Sequence, residues 1–359
     1  MTKVLIAAGG TAGHVVPALA IADALRAEGA DVVFVGGERA EARLVPQAGY
    51  ELRLIRVEGL SRTNPLKAAR AALRAAGAVV AARRIMRRER PDVVMGGGGY
   101  VSGPVGLAAV AARVALVLTE ADSHLGLANR MLAPFAARVC LAFPIGGRDG
   151  ERYRLTGRPV PPPVSDRAAA RARFGIADDD VCVLVFGGSL GARSINEAAV
   201  DAFAGAPFRV LHAAGTRDYP QLRDRIPPGG RYDLREYIDG FGDALAACDL
   251  CVARAGGSIF EIAAHGRPAI LIPYPHAAGD HQTHNARWME QAGAAVVIPD
   301  AELTPARLAE EVSRLLADPA RLDAMAQASA RLARPDAAQV IAAEILTAAD
   351  RATQRRLAP

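Results

Sequence analysis

Ala255, Gly256, Gly257 and Ser258 stand directly before an apolar helical pattern, Ile259, Ile262 and Ala263. Small residues at a helix start let backbone N–H groups approach an anion, and the helix dipole favours negative charge there. Glu261 falls one turn inside that helix, where its carboxylate can accept both hydroxyls of a ribose. A strand, Ala269 to Ile272, leads into a loop rich in Pro, His and Gly, and Asp280 begins another helix. Gln282, at the start of that helix, offers a donor and an acceptor together to a sugar. Phosphate, ribose and sugar in this order describe a nucleotide-sugar site.

The elements that must position these groups repeat. Strand Lys3–Ala7 runs into Ala8-Gly9-Gly10-Thr11-Ala12-Gly13-His14 and a helix from Val15 to Glu28, with Pro17 expected in its first turn. Strand 181–186 runs into Gly187-Gly188-Ser189-Leu190-Gly191-Ala192 and a helix from Arg193. Apolar strand, Gly-Gly-hydroxyl turn, helix, given twice, predicts an α/β chain of two Rossmann-like domains facing a cleft. A third strand, Asp92–Met95, ends in four glycines that include Gly98 and Gly99, followed by Tyr100. Thr119-Glu120-Ala121-Asp122 lies at the carboxyl end of strand Val114–Leu118, where open α/β sheets bind ligands. The proline-rich run Thr156–Ser165 reads as a linker. The expected domains are therefore 1–157 and 165–335, with a last helix, Asp336 to Ala349, taking residues 336–359 back to the first.

Composition bounds the rest. A chain of 359 residues is long enough for two domains, and 51% hydrophobic residues with 5% aromatics imply a core of small aliphatic side chains. Cys248-x-x-Cys251 has no second pair and reads as buried strand residues, which suits a reducing cytoplasm; no metal and no cofactor are expected. Lys3 is followed at once by a strand, so no signal peptide is expected, and the apolar run 101–118 contains Pro104 and Arg113, against a membrane span. Net charge is +5, but the segment 61–90 alone carries +8 and the remainder −3. Within it Leu66, Leu73, Val80 and Met86 could dip among lipid headgroups while Arg83, Arg84, Arg87 and Arg88 meet anionic lipid. The segment has no aromatic residue for base stacking, which argues against nucleic acid.

With these turns in place the chain resembles MurG-type enzymes along nearly its whole length. The residues that carry the resemblance are Gly9-Gly10-Thr11-Ala12-Gly13-His14, Gly98-Gly99-Tyr100-Val101-Ser102-Gly103-Pro104, Gly187-Gly188-Ser189-x-Gly191-Ala192 and His281-Gln282-x-x-Asn285-Ala286. The resemblance implies the two-domain GT-B fold. It also implies an inverting, metal-independent transfer of N-acetylglucosamine from UDP-N-acetylglucosamine to the muramyl C4 hydroxyl of undecaprenyl-diphosphate-linked muramyl-pentapeptide, on the cytoplasmic face of the membrane as a peripheral protein. By position it makes His14 the general base. It assigns Thr11, Ala12, Gly13, Asp122, Ser189, Ile238, Gly257, Ser258, Glu261 and Gln282 to the donor, with the Ile238 backbone on the uracil. Gly10, Gly13, Gly98, Gly99 and Tyr100 fall to the acceptor diphosphate.

The chain departs from the family at several places. Ala12 stands where glycine is usual, and Thr119-Glu120-Ala121-Asp122 replaces His-Glu-Gln-Asn, exchanging an amide for a carboxylate at Asp122. Arg158-Pro159-Val160-Pro161 replaces Asn-Pro-Val-Arg, Leu190 replaces glutamine, and the turn from Arg254 to Glu261 is one residue short. Three other readings stay open on the residues alone. A nucleotide-sugar epimerase, or a GT-B transferase with another acceptor, would use the same fold. An NAD enzyme would rest on Gly10-x-x-Gly13, with Ala8 in place of the first glycine and Glu38 as the ribose acid. A non-catalytic sugar-binding protein would keep Glu261 and Gln282 and dispense with His14.

Overall fold

The structure, a computed structural model, describes residues 1–57, 65–188, 191–226 and 229–357. The chain forms two compact units, Met1–Val160 with the segment from Arg334 onward, and Pro161–Ala333. In the first, strand β1 (Lys3–Ala7) is followed by helix α1 (Ala12–Ala27), β2 (Asp31–Gly36), α2 (Ala40–Gln47) and β3 (Glu51–Leu54). Then come α3 (Pro65–Glu89), β4 (Val93–Gly96), α4 (Gly99–Ala112), β5 (Ala115–Glu120), α5 (Leu127–Leu132), β6 (Arg138–Leu141) and β7 (Tyr153–Leu155). The seven strands lie in the order β3-β2-β1-β4-β5-β6-β7, and every pairing is parallel.

Parallel strands are covered on both faces, so each strand splits its side chains between two cores. Val4 and Ile6 pack with α1, whereas Leu5 and Ala7 pack with Ala82 and Met86 of α3 and Val101 and Val105 of α4. In the register, Val4 lies beside Val32 on one flank and Val93 on the other.

The second unit opens with α6 (Arg167–Arg173), β8 (Cys182–Phe186), α7 (Arg193–Phe203), β9 (Arg209–Ala213), α8 (Tyr219–Leu222) and β10 (Tyr232–Arg235). It continues through α9 (Phe241–Ala247), β11 (Leu250–Ala253), α10 (Ile259–Ala264), β12 (Ala269–Leu271), α11 (His281–Gln291), β13 (Ala295–Val297), α12 (Pro305–Leu316) and α13 (Pro319–Leu332). Its six parallel strands run β10-β9-β8-β11-β12-β13. In both sheets the first strand has its successor on one side and a later strand on the other. That reversal of strand order is where doubly wound sheets open a crevice at their carboxyl ends. Cys248 and Cys251 are both fully buried, with their sulfurs 3.6 Å apart.

The last helix, α14, runs from Ala337 to Leu357, beyond the Ala349 expected from the sequence. Ile341, Ala342, Ile345, Ala348 and Ala349 bury it against the first sheet together with α1, and the good helix formers that follow carry it on. Helix α1 begins at Ala12 rather than Val15, which places Pro17 well inside the helix instead of in its first turn. Met86 corrects another expectation. With Ala78 and Ala82 it forms the buried stripe of α3, spaced by four residues, and it cannot reach lipid. Val80, Arg83, Arg84, Arg87 and Arg88 are exposed. The side chains of Leu66 and Leu73 lie outside the described residues, as do Ser189 and Leu190.

Candidate functional site

Thr11 adopts extended backbone before α1, and His14 rides on the helix's first turn, half-buried, its Nδ1 3.3 Å from Thr11 Oγ1. The imidazole lies against Gly98: a Cβ there would stand 2.7 Å from its Cδ2, and the residue has φ +86°. Gly99, at φ +75°, is held closer still, against the carbonyl of Gly9. The two glycine turns therefore meet backbone to backbone. No residue with a side chain fits there, which is why the sequence spends its glycines at these places.

A buried carboxylate fastens the turns. Glu41, fully excluded from solvent, accepts from the Gly10 N–H at 2.9 Å, the Gly37 N–H at 2.9 Å and the Tyr100 hydroxyl at 2.7 Å. Burial pushes its pKa up, but the hydrogen bonds from Gly10, Tyr100 and Gly37 outweigh it and hold the carboxyl below its ordinary range. Burial and the Glu41 carboxylate together raise Tyr100 to about 12, and the Arg39 guanidinium sits 4.8 Å from its ring centre. Glu41 is not among the glutamates that the sequence singles out, which are Glu38, Glu120 and Glu261. An acid in an amphipathic helix gives no signal that its partners lie 31 and 59 residues away.

Glu120, Ala121 and Thr119 line a cavity with His14, Gly97 and Arg158. Glu120 is buried and accepts from the backbone N–H groups of Asp122 and Gly126 and from Asn129 Nδ2. Burial raises its pKa despite these bonds. Asp122, beside it, is half-buried. The His14 imidazole is pushed below its ordinary pKa, first by burial and then by the Arg158 guanidinium, against the pull of Asp122 and Glu41. Arg158 Nη2 donates to the Gly13 carbonyl at 2.7 Å. That carbonyl would otherwise bond the N–H of residue 17, which a proline lacks.

In the second unit, Gly187, Gly188, Arg193, Arg217, Arg254 and Gln282 are among the residues lining a cavity of about 840 Å³ at the carboxyl ends of β8 and β11. Arg254 is the fastener of this site. Its guanidinium donates to the Ile272 and Pro273 carbonyls, to Asp300 at 2.6 Å and to Ser194 Oγ at 2.8 Å. Helix α11 secures two loops: Gln282 Oε1 accepts from the Tyr274 N–H at 3.0 Å, and Asn285 Nδ2 donates to the Ala255 carbonyl at 3.1 Å. Beneath the cavity a buried chain links Asp218, Asn196, His212 and Tyr232 at 2.8–3.0 Å. Asp218 also holds Arg217 by two bonds and lies 3.5 Å from Arg193, which aims two cations at the cavity.

Most of the expected donor residues do not share that cavity. Ile238 is buried, Gly257 and Ser258 are half-buried just before α10, and Glu261 is half-buried on it, none of them on the cavity wall. Thr11, Ala12, Gly13 and Asp122 belong to the first unit, where the first three are exposed. Ser189 lies outside the described residues. The acceptor set of Gly10, Gly13, Gly98, Gly99 and Tyr100 is brought together around the two meeting turns.

Residues 4–141 match the glycosyltransferase family 28 N-terminal domain, and residues 182–341 the C-terminal domain of the same family. A Pseudomonas putida UDP-N-acetylglucosamine–N-acetylmuramyl-(pentapeptide) pyrophosphoryl-undecaprenol N-acetylglucosamine transferase is 42% identical over 94% of this chain and 96% of its own length. The protein of that name from Moorella thermoacetica is 42% identical over 96% of this chain and 98% of its own. Among solved structures, MurG of Acinetobacter baumannii superposes with a TM-score of 0.79 at 28% identity, covering 97% of this chain and 100% of that one. A UDP-GlcNAc 2-epimerase from Neisseria meningitidis shares the fold, with a TM-score of 0.68, at 12% identity.

Two parallel α/β units with glycine turns at their strand ends give the GT-B architecture, and the family match makes the chain a glycosyltransferase. The chain belongs to glycosyltransferase family 28.

Proposed function

We propose that this chain transfers N-acetylglucosamine from UDP-N-acetylglucosamine to the muramyl C4 hydroxyl of undecaprenyl-diphosphate-linked muramyl-pentapeptide, with inversion and without a metal. The observation that carries the reading is the match, along more than nine-tenths of both chains, to relatives named for that transfer. His14 is the base. With Nδ1 on Thr11, Nε2 takes the proton of the acceptor hydroxyl, whose oxygen attacks the anomeric carbon as UDP departs. Burial and Arg158 keep the imidazole neutral at physiological pH, as a base must be.

The Gly10, Gly13, Gly98 and Gly99 backbone and Tyr100 cradle the acceptor diphosphate. Ser189, Gly257, Ser258 and Gln282 hold the donor phosphates and sugar, Ile238 the uracil, and Glu261 the ribose. Arg193 and Arg217, both beside Asp218, line the cavity of the second unit together with Glu197 and Asp300, and their guanidinium N–H groups are donors suited to a departing diphosphate. The test is incubation with labelled UDP-N-acetylglucosamine and a lipid-diphosphate muramyl acceptor. Labelled disaccharide product is expected with or without EDTA. Loss of product with EDTA refutes metal independence, and label released as free sugar or epimerised donor refutes the acceptor.

The protein works at the cytoplasmic membrane surface as a peripheral protein. Among the described residues no helix is long and apolar enough to cross a membrane. Support for surface binding comes from α3, where Val80 is 51% exposed among Arg83, Arg84, Arg87 and Arg88. Exposed Leu107, Leu127 and Met131 lie on α4 and α5, the helices that pack next to it in series. Each arginine near an anionic surface contributes about 1 kcal/mol. Replacing all four by glutamate is expected to release the protein from phosphatidylglycerol vesicles in flotation assays. Turnover of a short-chain soluble acceptor should stay nearly unchanged. Persistent vesicle binding at low salt would show that these arginines are not the contact.

A further inference from the structure

We propose that Arg158 is the positioning residue of the first glycine turn: it takes the Gly13 carbonyl that Pro17 leaves without a helical donor, and so fixes His14 on α1. The proposal rests on the reading of His14 as the base. The geometry points to it from two sides. Helix α1 begins at Ala12, so in an unbroken helix the Gly13 carbonyl would receive the N–H of residue 17, and that residue is proline. The donor comes instead from 145 residues away, where Arg158 Nη2 reaches the same oxygen at 2.7 Å. A Cβ on Gly13 would stand 3.4 Å from Thr11 Oγ1 and 3.6 Å from Arg158 Nη2, so both side chains lie close beside this residue.

The peptide so gripped joins Gly13 to His14, so the contact sets where the imidazole starts. The charged groups around the ring are Arg158, Asp122 and Glu41, with Glu120 lining the same cavity. Arg158 is the one cation among them. It therefore does two separable things: it satisfies a carbonyl, and it opposes a proton on the imidazole.

Separability gives the test. The full chain is compared with Arg158→Ala, Arg158→Lys, Pro17→Ala and the double variant Pro17→Ala/Arg158→Ala. Steady-state kinetics with UDP-N-acetylglucosamine and a short-chain acceptor are run alongside NMR titration of the His14 ring without substrate. Arg158→Ala is expected to lower plateau kcat about tenfold, with donor KM within about twofold, and to move the His14 titration upward. Pro17→Ala alone should behave like the parent. In the double variant the new backbone N–H at position 17 can donate to the Gly13 carbonyl, so kcat should return to within about threefold of the parent while the titration stays raised. Arg158→Lys keeps the charge, so its His14 titration should stay near the parent value. An Arg158→Ala variant with parental kcat overturns the proposal. So does one that loses rate without any shift of the His14 titration, or a double variant no faster than Arg158→Ala. Failure of the base reading shows separately, as a mild His14→Ala.

Discussion

His14→Ala is expected to lower kcat by at least about 10²-fold with little change in donor KM, the loss typical of removing a general base. Asp122→Asn should keep catalysis within about tenfold, roughly 1.4 kcal/mol of barrier. The two side chains compete for the same role, because both stand at carboxyl ends of strands in the first sheet. Their surroundings differ. His14 sits on the turn that packs against Gly98, among the glycines suited to the acceptor diphosphate, with its Nδ1 beside Thr11. Asp122 follows the buried Glu120 and gives its backbone N–H to that carboxyl, so an amide in its place leaves this contact intact.

The pH dependence carries a sign. The imidazole is held below its ordinary pKa by burial and Arg158, so it becomes neutral, and active, at a lower pH than a free histidine. The acid-side inflection of kcat/KM should accordingly fall below the ordinary value of about 6.5. In Asp122→Asn the inflection should move lower still, since the Asp122 charge favours the protonated ring. Steady-state kinetics of both variants between about pH 5 and 9 decide the matter. A dead Asp122→Asn beside a mild His14→Ala reverses the assignment of the base.

Glu261→Ala should weaken UDP binding by roughly 10- to 10²-fold, the ~1.5–3 kcal/mol of hydrogen bonds to a charged acceptor. The fold should survive the change. Helix α10 is anchored by the buried Ile259, Phe260, Ile262 and Ala263, and alanine is the best helix former. At its C-terminal end the Glu261 carbonyl is already occupied, by the His265 N–H and by His265 Nδ1 at 2.8 Å, and these backbone contacts do not depend on the carboxylate. Calorimetric titration with UDP and with its 2′,3′-dideoxy analogue checks the claim. The parent should discriminate between them, and Glu261→Ala should bind both alike. Unchanged affinity for UDP in the variant would place the ribose elsewhere.

The sequence alone determined what is local. Apolar strands buried on both faces, glycine turns at their ends and the 3.6-residue stripes of the helices all depend on neighbours within a few positions. For the same reason the donor stretch showed its strand–turn–helix order, with Ile259, Ile262 and Ala263 turned inward as the pattern required. Element ends were less legible, because they do not coincide with the ends of the apolar pattern. Helix α14 outran its apolar stripe, and β12 stopped one residue short of Ile272. Tertiary structure decided which polar groups meet. Glu41 with Tyr100, Arg158 with Gly13, Arg254 with Asp300 and Asn196 with Asp218 are separated by 59, 145, 46 and 22 residues. Each partner has an ordinary sequence neighbourhood. What makes the pair is the strand order of a parallel sheet, which sets distant turns side by side at one edge and leaves their backbone groups to be satisfied by whatever side chain can reach.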